Sequence, residues 1–245
     1  MRTQVAGVLA EAVTAFCERR FAEVGDIADR ATGTLAGEEP RRSDLAIERL
    51  CTGLLGQTEP PLAGAGVVVA PYVLSDEPFW LEWWVPGPEL PRSANSARRL
   101  AVDVNPDSVS FRDYTSLVWF TGPQRTGERC ITGPYVDYLC TDQYTLTFTA
   151  PLADGERFLG VAGVDVLARW FEQHLFDVLD TEGGDEAEED DSVVVNRSGR
   201  VVACPSGAWV TGDLIRPLAS DGPPPSGWDI VDCPGTPFVV ARQSG

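Results

Sequence analysis

Between Asp113 and Asp165 the chain crowds aromatic rings and carboxylates onto short segments: D-Y-T-S-L-V-W-F at 113–120, G-P-Y-V-D-Y at 133–138, L-T-F-T-A-P-L at 146–152 and F-L-G-V-A-G-V-D-V at 158–166. Rings attract an organic cation through the negative face of their quadrupole, and an inward carboxylate pairs with its ammonium. Trp119, Phe120 and Tyr135 with Asp165, and Asp137 as a second acid, are therefore candidate residues for binding an amine; Tyr114 and Trp83 complete the set. Asp165 leads it, because an acid that directly follows a V-A-G-V strand needs a partner once it is even partly buried. Plainer readings stand beside these. Tyr135 also fits ordinary sheet core and Asp137 a turn. Trp80, Trp83 and Trp84 also fit core positions, and Trp83 and Trp84, adjacent on a strand, cannot both face one pocket.

Most catalytic constellations are missing. His174 is the single histidine, on a helical segment with no pointer to a partner, and reads as a surface or boundary residue. All 19 basic residues are Arg, which removes lysine-based Schiff-base and P-loop chemistry. No G-x-S-x-G or H-E-x-x-H occurs, and Gly64-Ala65-Gly66 precedes a strand where a dinucleotide fingerprint would follow one. An enzyme would have to rely on Asp or Cys chemistry at Asp137, Cys130 or Cys140. The six cysteines contain no C-x-x-C pair, which points to reduced thiols, not a disulfide framework or zinc site. No cofactor or metal is expected. The acidic run 181–191 lacks the alternating ligands of a calcium loop and reads as a solvated linker.

A net charge of −18 repels phosphate backbones and anionic lipid, which argues against nucleic-acid and membrane-surface partners. The apolar runs are strand-sized and the first thirty residues lack a signal-like apolar core, so a cytoplasmic location is expected.

The elements that must position the candidate residues follow an α+β order. Val5, Val8, Leu9, Ala12, Val13, Phe16 and Phe21 fall at helical spacing, with Glu11, Glu18, Arg19 and Arg20 off the stripe. A second helical stretch is broken at Gly33 and Gly37, and a third covers 43–55 with Ser43 as N-cap. Strands are expected at 66–72 and 79–85 about a turn at 75–78, then a proline-rich loop over 86–110 and a helical turn or two over 113–120 ended by Gly122-Pro123. Strands at 132–138, 144–151 and 158–166 follow, the last two joined by a turn at Ala153–Glu156. Thr145, Thr147 and Thr149 alternate with Leu146, Phe148 and Ala150. A helix over 167–179, a hairpin over 193–203, a Pro223–Pro225 loop and strands at 228–231 and 238–242 complete the chain.

The motifs at 113–165, in this order, resemble the Cache (PDC-type) ligand-sensing domains of bacterial receptors, and the resemblance covers about residues 3–180. It implies a long N-terminal helix packed on a PAS-like antiparallel sheet, with a shortened second PAS-like β module at the C-terminus. The implied divisions are 1–60 helical, 61–180 the ligand-binding module, 181–191 the acidic linker and 192–245 the small module. In amino-acid-binding members, as the resemblance implies, the counterpart of Asp165 receives the ligand's amino group. An Arg two residues before the Trp takes its carboxylate. Leu117 stands at that position here, which shifts the expected ligand from amino acids towards amines unless Arg112, Arg125 or Arg129 substitutes. The function implied is non-catalytic sensing of an amine or amino-acid-like metabolite. Output would pass through a transcription regulator or other signalling partner, or a homodimer through the N-terminal helix. The alternatives are the Asp/Cys enzyme and a ligand-free protein-interaction module.

Overall fold

The computed structural model describes residues 2–87, 97–138, 141–183, 190–219 and 225–244. Helix α1 (Arg2–Leu35) is continuous, and Leu9, Val13, Phe16, Val24, Ile27, Ala31 and Leu35 are wholly buried on one stripe. The break expected at Gly33 comes only after Leu35, because burying the stripe outweighs the ~1 kcal/mol that a helical Gly costs relative to Ala. Arg20 corrects the pattern reading. It stands on the stripe, four residues from both Phe16 and Val24, and is buried. Its Nη1 donates to the Pro60 carbonyl at 3.1 Å and Nη2 pairs with Glu23 at 3.0 Å, as a guanidinium out of water requires.

A 3-10 turn over Arg42–Asp44 precedes α2 (Glu48–Gln57). Ser43, expected to cap that helix, lies inside the turn, and Ile47 holds the cap position because its side chain is drawn into the core. Strands β1 (Gly64–Val69), β2 (Trp80–Val85) and β3 (Arg98–Arg99) follow, then α3 (Val118–Thr126), β4 (Cys130–Asp137), β5 (Gln143–Asp154), β6 (Arg157–Leu167) and α4 (Ala168–Glu182). Strands β7 (Val193–Asn196), β8 (Val201–Ala203), β9 (Trp228–Asp232) and β10 (Phe238–Gln243) end the chain. One sheet runs β3-β2-β1-β6-β5-β4 and the other β8-β7-β10-β9. Among the described residues no helix is long and apolar enough to cross a membrane. Much of the expected 86–110 and Pro223–Pro225 loops, most of the acidic run, and Cys140 lie outside the described residues.

The chain divides into two compact units that interleave along the sequence. One comprises Arg20–Thr132 and Thr147–Val166. Its β1 pairs antiparallel with β2 and with β6, setting Gly66 opposite both Trp83 and Gly163, and Gly64 opposite Asp165. On one face Phe148 meets Phe21 of α1 edge-on at 5.5 Å, and α2 packs against β1 and β2. On the same strand as Trp83, but pointing to the α2 side, Glu82 is buried. Burial, with Glu48 adding to it, raises its pKa above the ordinary 4.5, while the Trp80 indole N–H, Arg99 and Trp84 oppose the rise. A carboxyl whose folded pKa exceeds its unfolded one contributes fully at acid pH and loses that contribution as pH rises through the folded value. Glu82→Gln is therefore expected to melt above the parent at pH near 7 but not at pH near 4; parallel pH dependence in the two melts would contradict this.

The other unit comprises Met1–Arg19, Gly133–Leu146 and Leu167–Gly245. Val193, Val195, Val201, Ile215, Val239 and Ala241 form its apolar core within the four-stranded sheet, and Phe16 of α1 meets Phe171 of α4 at 4.8 Å. The end of the acidic run departs from the linker reading: Asp190 is buried and Arg242 pairs with it at 3.7 Å and with Asp191 at 3.4 Å. His174 is half-buried on α4, its Nε2 3.2 Å from the Arg19 guanidinium.

Candidate functional site

The face of the larger sheet opposite Phe148 is built around one indole. Trp83 lies across β1 and β6 because three glycines remove the side chains beneath it. A Cβ on Gly64 would stand 2.2 Å from Trp83 Nε1, one on Gly66 2.9 Å from Cε3, and one on Gly163 3.3 Å from Cη2. The same Gly64 position lies 3.2 Å from Asp165 Oδ2, so the indole nitrogen and the carboxylate converge there. Asp165 is 5% exposed, and its Oδ1 accepts a hydrogen bond from the Thr147 hydroxyl at 2.6 Å. Trp83 is 6% exposed, and its Nε1 meets no acceptor among the described residues.

Thr149, two residues along β5, anchors α3 over this region. Its Oγ1 donates to the Trp119 carbonyl at 3.0 Å. That carbonyl is the one an N–H at position 123 would bond within the helix, and Pro123 has none. The expected helix stop at Gly122-Pro123 therefore does not operate: the lost bond is replaced from the sheet, and α3 runs on to Gly127, whose φ of 68° closes it. Thr149→Val leaves that part-buried carbonyl without its donor, and a loss of about 1 kcal/mol in urea unfolding is expected. A value near zero would show that the hydroxyl carries nothing.

Phe120 is wholly buried among rings, with Tyr114 at 5.5 Å, Phe158 at 5.4 Å and Trp119 at 6.2 Å. The Tyr114 hydroxyl donates to the Val69 carbonyl at 2.8 Å and accepts from the Trp80 N–H at 3.1 Å, tying the helical segment to β1 and β2. Burial pushes this phenol up to about 12. Both side chains are engaged in packing and backbone bonding. Trp119 is half-buried at the start of α3. Tyr135, half-buried, and Asp137, buried, lie on β4 in the unit that contains Gly133–Leu146, whereas Trp83, Thr147 and Asp165 lie together in the other. Cys130 opens β4 with its sulfur 3.8 Å from the Thr132 hydroxyl.

Residues 97–170 match the family model of the first PDC sensor domain of methyl-accepting chemotaxis protein-like sequences. The ligand-binding domain of the Pseudomonas fluorescens chemoreceptor CtaA, in complex with L-valine, superposes with a TM-score of 0.60 at 15% identity, covering 99% of this chain and 94% of that one. That of the Pseudomonas aeruginosa amino acid chemoreceptor PctC, in complex with GABA, gives 0.58 at 14% identity over 99% and 97%. The domain of P. aeruginosa PctB with L-Arg gives 0.58 at 14% identity over 99% and 93%. The fold is that of a Cache (PDC-type) sensor domain. No curated protein sequence matches the chain significantly.

In this Cache domain Gly64, Gly66 and Trp83 lie outside the segment that the family model matches, while Gly163, Asp165, Thr147, Thr149 and Trp119 lie inside it. Leu117, at the position where the resemblance implies an Arg, is 39% exposed and precedes α3. The three arginines named as substitutes are placed differently. Arg112 is exposed and bonds the carbonyl of its own neighbour Phe111 at 3.3 Å. Arg125 is exposed in the last turn of α3. Arg129 lies over the Phe21 ring at 4.4 Å, and Phe21 packs on the α1 side of the sheet, away from Asp165.

Proposed function

We propose that this Cache domain senses a small metabolite bearing a primary amine, received at Asp165. The observation that carries the reading is a buried carboxylate fixed by a threonine hydroxyl beside a buried indole. Such an acid pairs with an ammonium at close range, where low dielectric strengthens the attraction. The compounds named with the three similar domains, L-valine, GABA and L-Arg, each carry a primary amine, which supports the same chemistry here. Trp119 and Trp83 supply ring surface on the Asp165 side, and the lining role expected for Phe120 and Tyr114 becomes a supporting one. In this reading the domain binds without catalysis and passes its state to a separate signalling protein, such as a transcription regulator, or to a second copy through the exposed side of α1. The described cysteines Cys17, Cys51, Cys130, Cys204 and Cys233 are free thiols, which supports a reducing, cytoplasmic setting. A thermal-shift screen of amines, amino amides and amino acids tests the proposal. A binder at about 100 times its Kd stabilises the native state by about 2.7 kcal/mol. No shift from any amine-bearing compound would overturn the reading, and turnover of a bound compound would replace it with the enzyme.

A further inference from the structure

Resting on the amine reading of Asp165, we infer that Trp83 Nε1–H is the specificity donor of this site, and that the ligand is an amine with an uncharged oxygen acceptor close to it, such as an amino amide, amino ester or amino alcohol. The donor and the acid share one location. Trp83 Nε1 and Asp165 Oδ2 lie 2.2 and 3.2 Å from the single point where a Gly64 Cβ would stand. Asp165 Oδ1 is turned to Thr147, so Oδ2 is the oxygen on the indole side. The indole N–H is buried with no acceptor among the described residues, and a buried donor in that condition is satisfied when a bound molecule brings an oxygen to it. A compound whose ammonium sits on Oδ2 and whose oxygen is two or three bonds from the nitrogen offers both groups a partner at once.

The oxygen's charge follows from what surrounds it. A free amino acid would set its carboxylate beside the Asp165 carboxylate. Like charges in a desolvated site repel strongly unless a cation intervenes. An indole N–H is a neutral donor with no counter-charge to offer, so it favours a carbonyl or hydroxyl over a carboxylate. The three glycines under the indole fix the donor's position, since any side chain at 64 or 66 would displace the ring.

Isothermal titration at about pH 6.5, where α-amino amides are protonated, decides the matter with three matched series: amino amides, the amines lacking their carbonyl, and the free amino acids. Glycine, alanine, leucine and arginine derivatives are the probes. The amides are expected to bind about tenfold or more tighter than both other series. Trp83→Phe, which keeps a ring on the glycine bed and removes the N–H, is expected to weaken the amides about tenfold and leave the plain amines unchanged. Equal affinities of amides and plain amines for the parent protein, or amino acids binding tightest, overturn the inference even where Trp83→Phe does not fold. Asp165→Asn separates the two layers. Loss of every series in that variant, with no amide preference in the parent, retains the amine reading and rejects the role of Trp83. Undiminished binding to Asp165→Asn rejects the amine reading itself, and no binding by any series rejects both.

Discussion

Asp165→Asn is expected to remove most of the ligand-induced stabilisation while leaving the ligand-free protein folded. Asn keeps an oxygen that accepts the Thr147 hydroxyl, which bonds Asp165 Oδ1 at 2.6 Å in the parent. The ligand-free variant should therefore lose no more than about 1 kcal/mol, the scale of one neutral hydrogen bond exchanged for a charged one. The ammonium has no comparable substitute. Charge-assisted hydrogen bonds are roughly twice as strong as neutral ones, and an amide dipole that faces an ammonium leaves the cation desolvated without a counter-ion. An affinity loss of about 100-fold follows, equivalent to about 2.7 kcal/mol, so ligand at about 100 times the parent's Kd, which stabilises the parent by about 2.7 kcal/mol, stabilises the variant by only about 0.4 kcal/mol. A variant that shifts as the parent does would show that the amine binds elsewhere.

Gly66→Ala is expected to be strongly destabilising. A Cβ there would stand 2.1 Å from the Glu82 carbonyl oxygen and 2.8 Å from the Trp83 Cα, both backbone atoms of the paired strand. Flexible side chains step aside, but hydrogen-bonded strands do so only by breaking the ladder that holds β1 to β2. A loss of about 3–5 kcal/mol in urea unfolding is the expected scale for overpacking that a core cannot absorb. Gly25→Ala is the control. A Cβ on Gly25 in α1 meets nothing within 4 Å, and Ala there should stabilise by about 0.5–1 kcal/mol. Equal effects of the two substitutions would mean that the sheet tolerates displacement of the indole bed.

The elements were largely legible because their periodicities are undisturbed. Alternation along β5 and the V-A-G-V-D pattern of β6 place those strands to within a few residues, and the turn at Gly155-Glu156 is where the sequence puts it. Alternation misleads in one respect. It implies that Thr145, Thr147 and Thr149 face water, yet all three are buried together with Leu146 and Phe148. Their hydroxyls find partners that pattern alone cannot show, such as Asp165 for Thr147 and the Trp119 carbonyl for Thr149. Arg20 and Pro123 fail for a related reason. Each breaks a local rule, and each is compensated by a group distant in sequence: the Pro60 carbonyl for one, the Thr149 hydroxyl for the other.

Within the site, Asp165 was readable as an acid that ends a buried strand. The glycine bed was not, although its signal is present. Gly64 and Gly66 alternate on one strand, and Gly163 sits two residues before Asp165 on the next. Glycines at period two strip one face of a sheet and imply that something large lies across it. The large group was Trp83, and only the pairing of Gly66 with both Trp83 and Gly163 identifies it.

A crystal structure of the protein with the amine-bearing compound that gives the largest thermal shift tests the central claim most directly. The ligand's nitrogen should lie about 2.7–3.0 Å from Asp165 Oδ2, the range of a charge-assisted bond, on the face that carries Trp83. Density for the compound on the α1 side of the sheet, or on this face with its amine turned from Asp165, would contradict it.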